Sequence, residues 1–175
     1  MAVSETLLAC EPVVRVGAFA GVLAVMALWE WLSPRRHQEI GRVRRWPNNL
    51  GIVALNTVVV RFVFPAAAVG TALLTEARGW GLFQALEAPA WVTIAASVIL
   101  LDLAIYLQHV LFHAVPVLWR LHRMHHADLE FDVTTGLRFH PIEILLSMGI
   151  KLGVVAALGT PAVAVLVFEV LLNAT

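Results

Sequence analysis

The 175-residue chain is 60% hydrophobic and 14% charged, and its mean hydropathy is +0.83. This composition excludes a disordered chain and an ordinary soluble domain, and it indicates a protein embedded in a lipid bilayer. Twelve basic residues balance twelve acidic ones, which leaves no net charge to attract nucleic acid, and the single Cys10 excludes an internal disulfide. We therefore expect one membrane-embedded domain over residues 1–175.

Apolar segments long enough to cross a membrane follow one another along the chain. About 20 apolar helical residues cross a hydrocarbon core of about 30 Å, and residues 13–32, 50–75 and 90–113 reach that length. A fourth apolar region, residues 142–172, is interrupted by Gly159, Thr160 and Pro161, which predicts a tight helical hairpin. The sequence thus predicts an all-α membrane bundle with about three full spans and a hairpin.

The distribution of arginine predicts the orientation of these spans. Residues 33–47, between the first two spans, contain five arginines, whereas residues 76–89 contain only Arg78. Because basic loops are retained in the cytoplasm, we expect the first loop to be cytoplasmic, with its arginines solvated among lipid headgroups. The segment after the third span then lies at the same face, in a bacterial inner membrane or an equivalent such as the endoplasmic reticulum.

Histidines are concentrated in the 32 residues that end the third span and follow it. Six of the seven histidines in the chain lie there, and three pairs of them are three or four positions apart. On a helix these spacings turn imidazoles toward one face, which is the arrangement that a shared metal ion requires. The pattern therefore favours a metal site over isolated structural histidines. The candidate ligands are His109, His113, His122, His125, His126 and His140.

The third span carries a polar stripe. At 100° per residue, Asp102, Tyr106, His109 and His113 share one narrow face of that helix. Because the surrounding residues are apolar, we expect the stripe to look into the protein interior. A carboxylate near the middle of a bilayer is costly, so Asp102 is a candidate functional or structural residue.

The residue types limit the choice of metal. With Cys10 far from the histidines there is no thiolate site, and the His-Glu-x-x-His pattern of zinc proteases is missing. More than four histidines suit two metal ions. We expect iron, because imidazole binds it well and leaves positions open for dioxygen, with zinc as a possible substitute.

Three strings within residues 102–143 resemble the histidine boxes of the fatty acid hydroxylase and sterol desaturase superfamily of integral-membrane di-iron oxidases. They are DLAIYLQHVLFH, PVLWRLHRMHH and RFHPIE. The resemblance implies that His109 and His113 are ligands from the first box and that His122, His125 and His126 are ligands from the second. His140 matches the third string, and its binding to metal is left open.

The resemblance also implies an activity. The enzyme would be a non-haem di-iron oxygenase that uses O2 to hydroxylate or desaturate a fatty-acyl, sterol or related lipid. Its electrons would come from a donor such as a ferredoxin or a b-type cytochrome. The family has a further His-x-x-His-His box after its last membrane segment, whereas no histidine follows His140 here. We expect a chain truncated at its carboxy terminus, and the alternatives are a partner subunit that completes the ligand set or an inactive homologue.

Several charged residues near the histidines are candidates to support them. A ligating imidazole usually donates its second N–H to a carboxylate or a carbonyl, and Glu143 beside His140 is the strongest candidate for that role. The other residues in this group lie in the same segment. They are Asp128, Glu130, Asp132 and Arg138.

Charges inside the apolar segments predict two ion pairs. Arg61 and Asp102 reach similar depths in antiparallel spans, and Lys151 and Glu169 are level across the hairpin. Either pair would neutralise buried charge and fix the register of two helices.

Two other classes of function remain open. A histidine-rich transporter or sensor of divalent metal ions would distribute its ligands along a path through the bilayer, whereas these histidines lie at one end of a span. A catalytically inactive membrane scaffold is the second alternative. The metal content of the purified protein separates the three classes.

Overall fold

The computed structural model describes residues 2–35 and 39–174, and within these residues the regular structure is entirely helical. This confirms the predicted all-α fold. Two short 3-10 turns, His125–Ala127 and Thr135–Leu137, lie between the seventh and eighth helices. The α-helices are α1 (Ala2–Ala9), α2 (Glu11–Leu32), α3 (Arg42–Val63), α4 (Ala67–Arg78), α5 (Leu82–Ala85), α6 (Ala90–Ala114), α7 (Pro116–His122), α8 (Pro141–Leu158) and α9 (Ala162–Leu172).

Four helical segments among the described residues are long and apolar enough to cross a membrane. They are Glu11–Leu32, Arg42–Ala85, Ala90–Ala114 and Pro141–Leu158. Together they make the chain an integral membrane protein. The fourth is the first arm of the expected hairpin, whose 18 residues reach the length of a span by themselves.

The second predicted span is present, but it is divided into two helices. α3 ends at Val63, and α4 begins at Ala67 after a break that contains Pro65. Proline has no N–H to donate to the preceding turn, and its ring clashes with that turn. Residue Ala67 also takes a positive φ of 51°, which changes the direction of the chain. The break within residues 50–75 was not predicted from the sequence.

The predicted hairpin is confirmed. α8 ends at Gly159, whose φ of +66° lies in the left-handed region that favours glycine. The turn packs against the loop after α4, so a Cβ added at Gly159 would clash with the carbonyl oxygen of Trp80. The side chain of Glu76 accepts a hydrogen bond from the backbone N–H of Ala162 at 2.9 Å and so caps the start of α9.

α9 lies at the centre of the bundle and packs against α1, α2, α4 and α6. Small residues line its contacts, since Ala68, Ala72, Ala162 and Ala164 are all fully buried. In lipid, helices gain stability from close van der Waals packing, and small side chains let their backbones approach. Among larger residues, Phe168 is 1% exposed and completes this core.

One of the two predicted ion pairs is confirmed. Lys151 Nζ lies 2.6 Å from Glu169 Oε1, and Glu169 is only 3% exposed. The other carboxylate oxygen of Glu169 lies 3.2 Å from Arg15 Nε, a contact that the sequence did not predict. The buried carboxylate therefore joins α2, α8 and α9.

The other predicted ion pair was wrong. Arg61 and Asp102 are both exposed, and no ion pair joins them in the described parts of the chain. The reason is that α3 packs against α8, whereas α6 packs against α7, α8 and α9. Similar depth in the membrane does not bring two side chains together when their helices are not neighbours.

Candidate metal centre

A sharp bend after α6 brings the histidines together. Val115, the only residue between α6 and α7, is extended with φ −96° and ψ 118°, as the residue before a proline usually is. Pro116 then begins α7, where its missing N–H needs no partner. α7 turns back against α6, so His122 at its end packs edge-on against the rings of His109 and His113.

Four of the six candidate ligands form one cluster. His109, His113, His122 and His126 each offer a ring nitrogen, and these four atoms all lie within 4.8 Å of one another. The Nε2 atoms of His109 and His113 are 3.1 Å apart, as are those of His122 and His126. Nitrogens that share one ion with bonds of about 2.1 Å lie about 3.0–3.4 Å apart. The donor set and its spacing therefore fit a metal ion.

Glu143 orients one of these imidazoles. Its Oε1 lies 2.6 Å from His122 Nδ1, and its side chain comes from the first turn of α8, where it is buried. An ionised carboxylate can only accept a hydrogen bond, so with Glu143 ionised His122 Nδ1 carries the hydrogen and Nε2 keeps its lone pair toward the cluster. Glu143 thus supports a histidine, as the sequence predicted, although that histidine is His122 rather than the neighbouring His140.

The other two candidate histidines lie outside the cluster. His125 stacks on Phe139, with ring centroids 4.5 Å apart and planes 7° from parallel. Its Nδ1 is buried and has no hydrogen-bond partner among the described residues. His140 Nδ1 accepts a hydrogen bond from the backbone N–H of Ile142 at 3.2 Å and caps α8. The structure therefore brings four of the six together.

The polar stripe of α6 faces outward, which corrects the expectation that it would look into the protein interior. Asp102, His109 and His113 are exposed, and Tyr106 is 62% exposed. Two small hydroxyl residues, one amide and two large apolar residues take the buried face instead. Those buried residues are Thr93, Ser97, Leu101, Gln108 and Phe112. The cluster consequently opens toward the surface of the bundle at the end of α6.

Sequence reasoning missed the residue that holds the histidine-bearing loop. Arg45 at the start of α3 is 6% exposed. It donates a bidentate pair of hydrogen bonds to Asp128 at 2.9 and 2.8 Å and another to Asp132 at 3.0 Å. It also contacts the carbonyl of Glu130. The interpretation of the whole arginine cluster as solvated is therefore wrong for Arg45.

Further contacts attach the loop to α2 and α3. Asn49, 1% exposed, donates to Asp128 at 3.2 Å and to Thr134 at 2.9 Å. The backbone N–H of Val133 donates to Glu30 at 2.9 Å. The arginine-rich segment and the histidine loop therefore lie at the same end of the bundle, apart from residues 36–38, which lie outside the described residues.

The acidic loop residues have ordinary structural partners. Arg138 contacts Asp128 at 4.0 Å rather than a histidine. Burial alone would raise the pKa of Asp128, but hydrogen bonds from Thr135, Arg45 and Asn49 together hold it below its usual value. The one sequence signal for this arrangement was the alternation of acidic residues just after the last histidine of the second box.

Burial keeps His122 and His125 uncharged. It lowers the pKa of His122 to about 4, and repulsion from His113 and His126 adds to that effect. It likewise lowers the pKa of His125 to about 4, with further repulsion from His126. Neutral imidazole is the form that binds metal, so both rings are available as ligands at neutral pH.

The comparison with protein families finds a match for the region that contains this site. The fatty acid hydroxylase family model matches residues 94–175. This region matches the fatty acid hydroxylase family. The match spans α6 to α9 and so contains the four clustered histidines and Glu143. The comparisons with curated proteins and with solved structures found no match to the chain.

The family match confirms the resemblance drawn from the histidine boxes. Residues 94–175 are thus similar to the hydroxylase and desaturase superfamily, and the four membrane-length segments support a membrane location for the chain that contains them. The fatty acid hydroxylase region begins inside α6, and Arg45, which holds its histidine loop, comes from the part of the chain before it.

Proposed function

We propose that this protein is a di-iron oxygenase that uses O2 to hydroxylate or desaturate a C–H bond of a fatty-acyl, sterol or related membrane lipid. The observation that carries the proposal is the convergence of four imidazole nitrogens at the end of a membrane-length helix, within a region that matches the fatty acid hydroxylase family. That position suits a reaction on a lipid chain near the boundary of the bilayer.

The residues present fit a metal ion. His109, His113, His122 and His126 would hold one iron, and His125 and His140 are the remaining donors that we propose for a second. Zinc is a possible substitute at such imidazole sites. Bound iron would supply the activation of O2 that breaking an unactivated C–H bond requires, because no side-chain acid or base can do so.

The chain itself contributes orientation and exclusion of water. Glu143 fixes the protonation of His122, while Arg45 holds the loop that carries His125 and His126. Trp119 lies 5.3 Å from the ring of His113 and 5.6 Å from that of His126, and it covers one side of the cluster. The exposed α6 side of the cluster leaves a lateral approach for lipid.

We propose that the cluster faces the cytoplasm and receives electrons there from a ferredoxin or a b-type cytochrome. The arginine-rich segment supports this orientation, because it lies at the same end of the bundle as the histidine loop. Arg120 and Arg123 are exposed beside His122 and would attract an acidic donor protein.

Metal analysis of the purified chain in lipid nanodiscs tests the proposal. We expect bound iron, and we expect His113→Ala and His126→Ala each to lower it at least tenfold, with Tyr106→Phe on the same helix as the matched control. Lipid extracts of cells that express the protein should contain a hydroxylated or desaturated product that the two histidine variants do not form. One labile zinc per chain without an oxygen-dependent product would favour a metal transporter or sensor, and a metal-free chain would favour a scaffold.

A further inference from the structure

A cavity between α6 and α9 contains the one acidic side chain of the α6 stripe. It has a volume of about 310 Å³ and is lined by Val98, Ile99, Asp102, Phe168, Leu171 and Leu172. Five of these six side chains are apolar. The cavity is open on one side, so an apolar chain that lies along the surface of the bundle can enter it and reach its single polar group.

The carboxyl group of Asp102 has no partner within the described protein. It forms no hydrogen bond or ion pair there, and the expected contact with Arg61 does not exist. Asp102 lies near the middle of the 25-residue α6, so its side chain meets the hydrocarbon region of the bilayer. A polar group at that depth is stabilised by a ligand that can hydrogen-bond to it.

The position of Asp102 relates the cavity to the candidate metal centre. Asp102 precedes His109 by seven residues, which is two helical turns, or about 10 Å along the helix axis at an offset of about 20°. Both side chains are exposed on the same face of α6. A straight lipid chain lying along this face would therefore contact both of them.

We propose that this cavity binds the hydroxyl group of a lipid chain that is already hydroxylated near the end that reaches the bilayer interior. A hydroxyl both donates and accepts, so it can pair with the carboxyl group of Asp102 in either protonation state. The apolar wall, including Phe168 and Ile99, packs against the adjoining methylene groups. That the bound lipid is the substrate rests on the proposed function, whereas the binding does not.

Binding to the protein in nanodiscs, measured with ω-hydroxypalmitate and palmitate as matched probes, tests the proposal. We expect ω-hydroxypalmitate to bind at least about tenfold more tightly, which is the scale of one hydrogen bond to a carboxylate. Asp102→Leu should abolish the difference between the probes, Asp102→Asn should retain part of it, and all three proteins should hold the same amount of metal. Equal binding of the two probes to the unaltered protein would overturn the proposal.

Two further variants keep the outcome interpretable. Ile99→Trp places a large ring in the cavity from an exposed position, so it should weaken binding of both probes. Leu103→Ala, on an exposed residue that does not line the cavity, should leave both affinities unchanged, and a loss there equal to that of Asp102→Leu would contradict the site.

Selective binding by a protein that holds no iron would refute the proposed oxygenase but not the site. Iron-dependent product without selective binding would refute the site alone.

Discussion

At the scale of single residues, the sequence predicted the clustered histidines, but it predicted only some of the residues that hold them in place. The spacing of His109 and His113 depends on one continuous helix, so a local rule predicted their convergence. Glu143 was predicted to support a histidine because it lies close in sequence, yet its partner is His122, 21 positions away. Which carboxylate meets which imidazole depends on how α7 and α8 pack, and no local pattern contains that information.

Removing the carboxylate of Glu143 should weaken metal binding. In Glu143→Ala the Nδ1 proton of His122 loses its acceptor, so the ring is free to rotate or to change tautomer. We expect metal affinity to fall by about 10- to 100-fold. The metal affinity of Glu143→Gln should fall less, since the amide oxygen can still accept a hydrogen bond from the Nδ1–H of His122. Competition with a chromophoric chelator measures these affinities, and an unchanged affinity in Glu143→Ala would contradict the assigned role.

Arg45 lies among three acidic residues whose own positions depend on it. Truncating one partner of a buried ion pair costs about 3–5 kcal/mol, because the remaining charge stays buried and unpaired. Arg45→Ala should therefore open the segment that follows the histidines before the rest of the bundle unfolds. Faster hydrogen exchange over residues 128–138 would report this opening.

The neighbouring Arg44 is the matched control for this experiment. It is exposed and lies in the same turn of α3, so Arg44→Ala removes the same charge without leaving a buried carboxylate unpaired. Its exchange rates over residues 128–138 should equal those of the unaltered protein. Equal exchange in the Arg45 and Arg44 variants would show that Arg45 does not hold the loop.

At the scale of helices, the elements bounded by strong local signals agree with the prediction, and the one broken by a proline does not. α6 was predicted within one residue of its observed end, and Gly159 correctly marked the hairpin turn. Pro47 lies inside α3 without ending it, whereas Pro65 lies between α3 and α4. Proline is tolerated in membrane helices when neighbours satisfy the freed backbone groups, so a proline alone does not decide between a continuous helix and a break.

The hairpin turn should be intolerant of any side chain at Gly159. A Cβ there would clash with the Trp80 carbonyl, and the left-handed backbone adds its own strain. We expect Gly159→Ala to destabilise the protein by about 1–3 kcal/mol or more. Thermal unfolding in detergent, followed by tryptophan fluorescence, measures the loss.

Gly153 provides the comparison within the same helix. An added Cβ at Gly153 meets no atom within 4 Å, and the residue is in regular α-helix. Gly153→Ala should be neutral or should stabilise the protein by up to about 1 kcal/mol, because alanine favours helix. A greater loss at Gly153 than at Gly159 would contradict the close packing of the turn.

At the scale of the whole molecule, buried charge ties the first span to the hairpin. The pairing of Lys151 with Glu169 was predictable because a tight turn fixes which residues of its two arms are level. The sequence did not predict the ion pair between Arg15 and Glu169, and it wrongly predicted one between Arg61 and Asp102. Such contacts depend on which non-consecutive helices are neighbours, which is set by packing over the whole bundle.

The two cations around Glu169 predict an order of effects. Glu169→Gln leaves Lys151 without a countercharge and Arg15 with Glu11 as its remaining partner, whereas Lys151→Met leaves Glu169 still paired with Arg15. We expect Glu169→Gln to lower the thermal stability more, by about 3–5 kcal/mol. The double variant should lose less than the sum of the two single changes, because the groups act as one network.

The reverse order, with Lys151→Met the more harmful, would contradict the shared role of Glu169. The nearby Asn173→Ala is a suitable control because, among the described residues, the Asn173 side chain donates a hydrogen bond to the backbone carbonyl of Glu169 at 2.7 Å and to no carboxylate. Its expected loss is about 1 kcal/mol.

In the proposed reaction, the outward-facing stripe of α6 would determine which lipid concentration governs turnover. A lipid that reaches the histidines sideways would stay in the bilayer, so its supply would be its mole fraction in the membrane around the protein. Added detergent would lower the mole fraction of the lipid in the micelle while its concentration in the whole sample stays the same. The apparent KM, given as a bulk concentration, would then rise in proportion. Rates measured in different detergents or membranes would therefore be comparable only when the substrate concentration is given as its mole fraction in the micelle or bilayer.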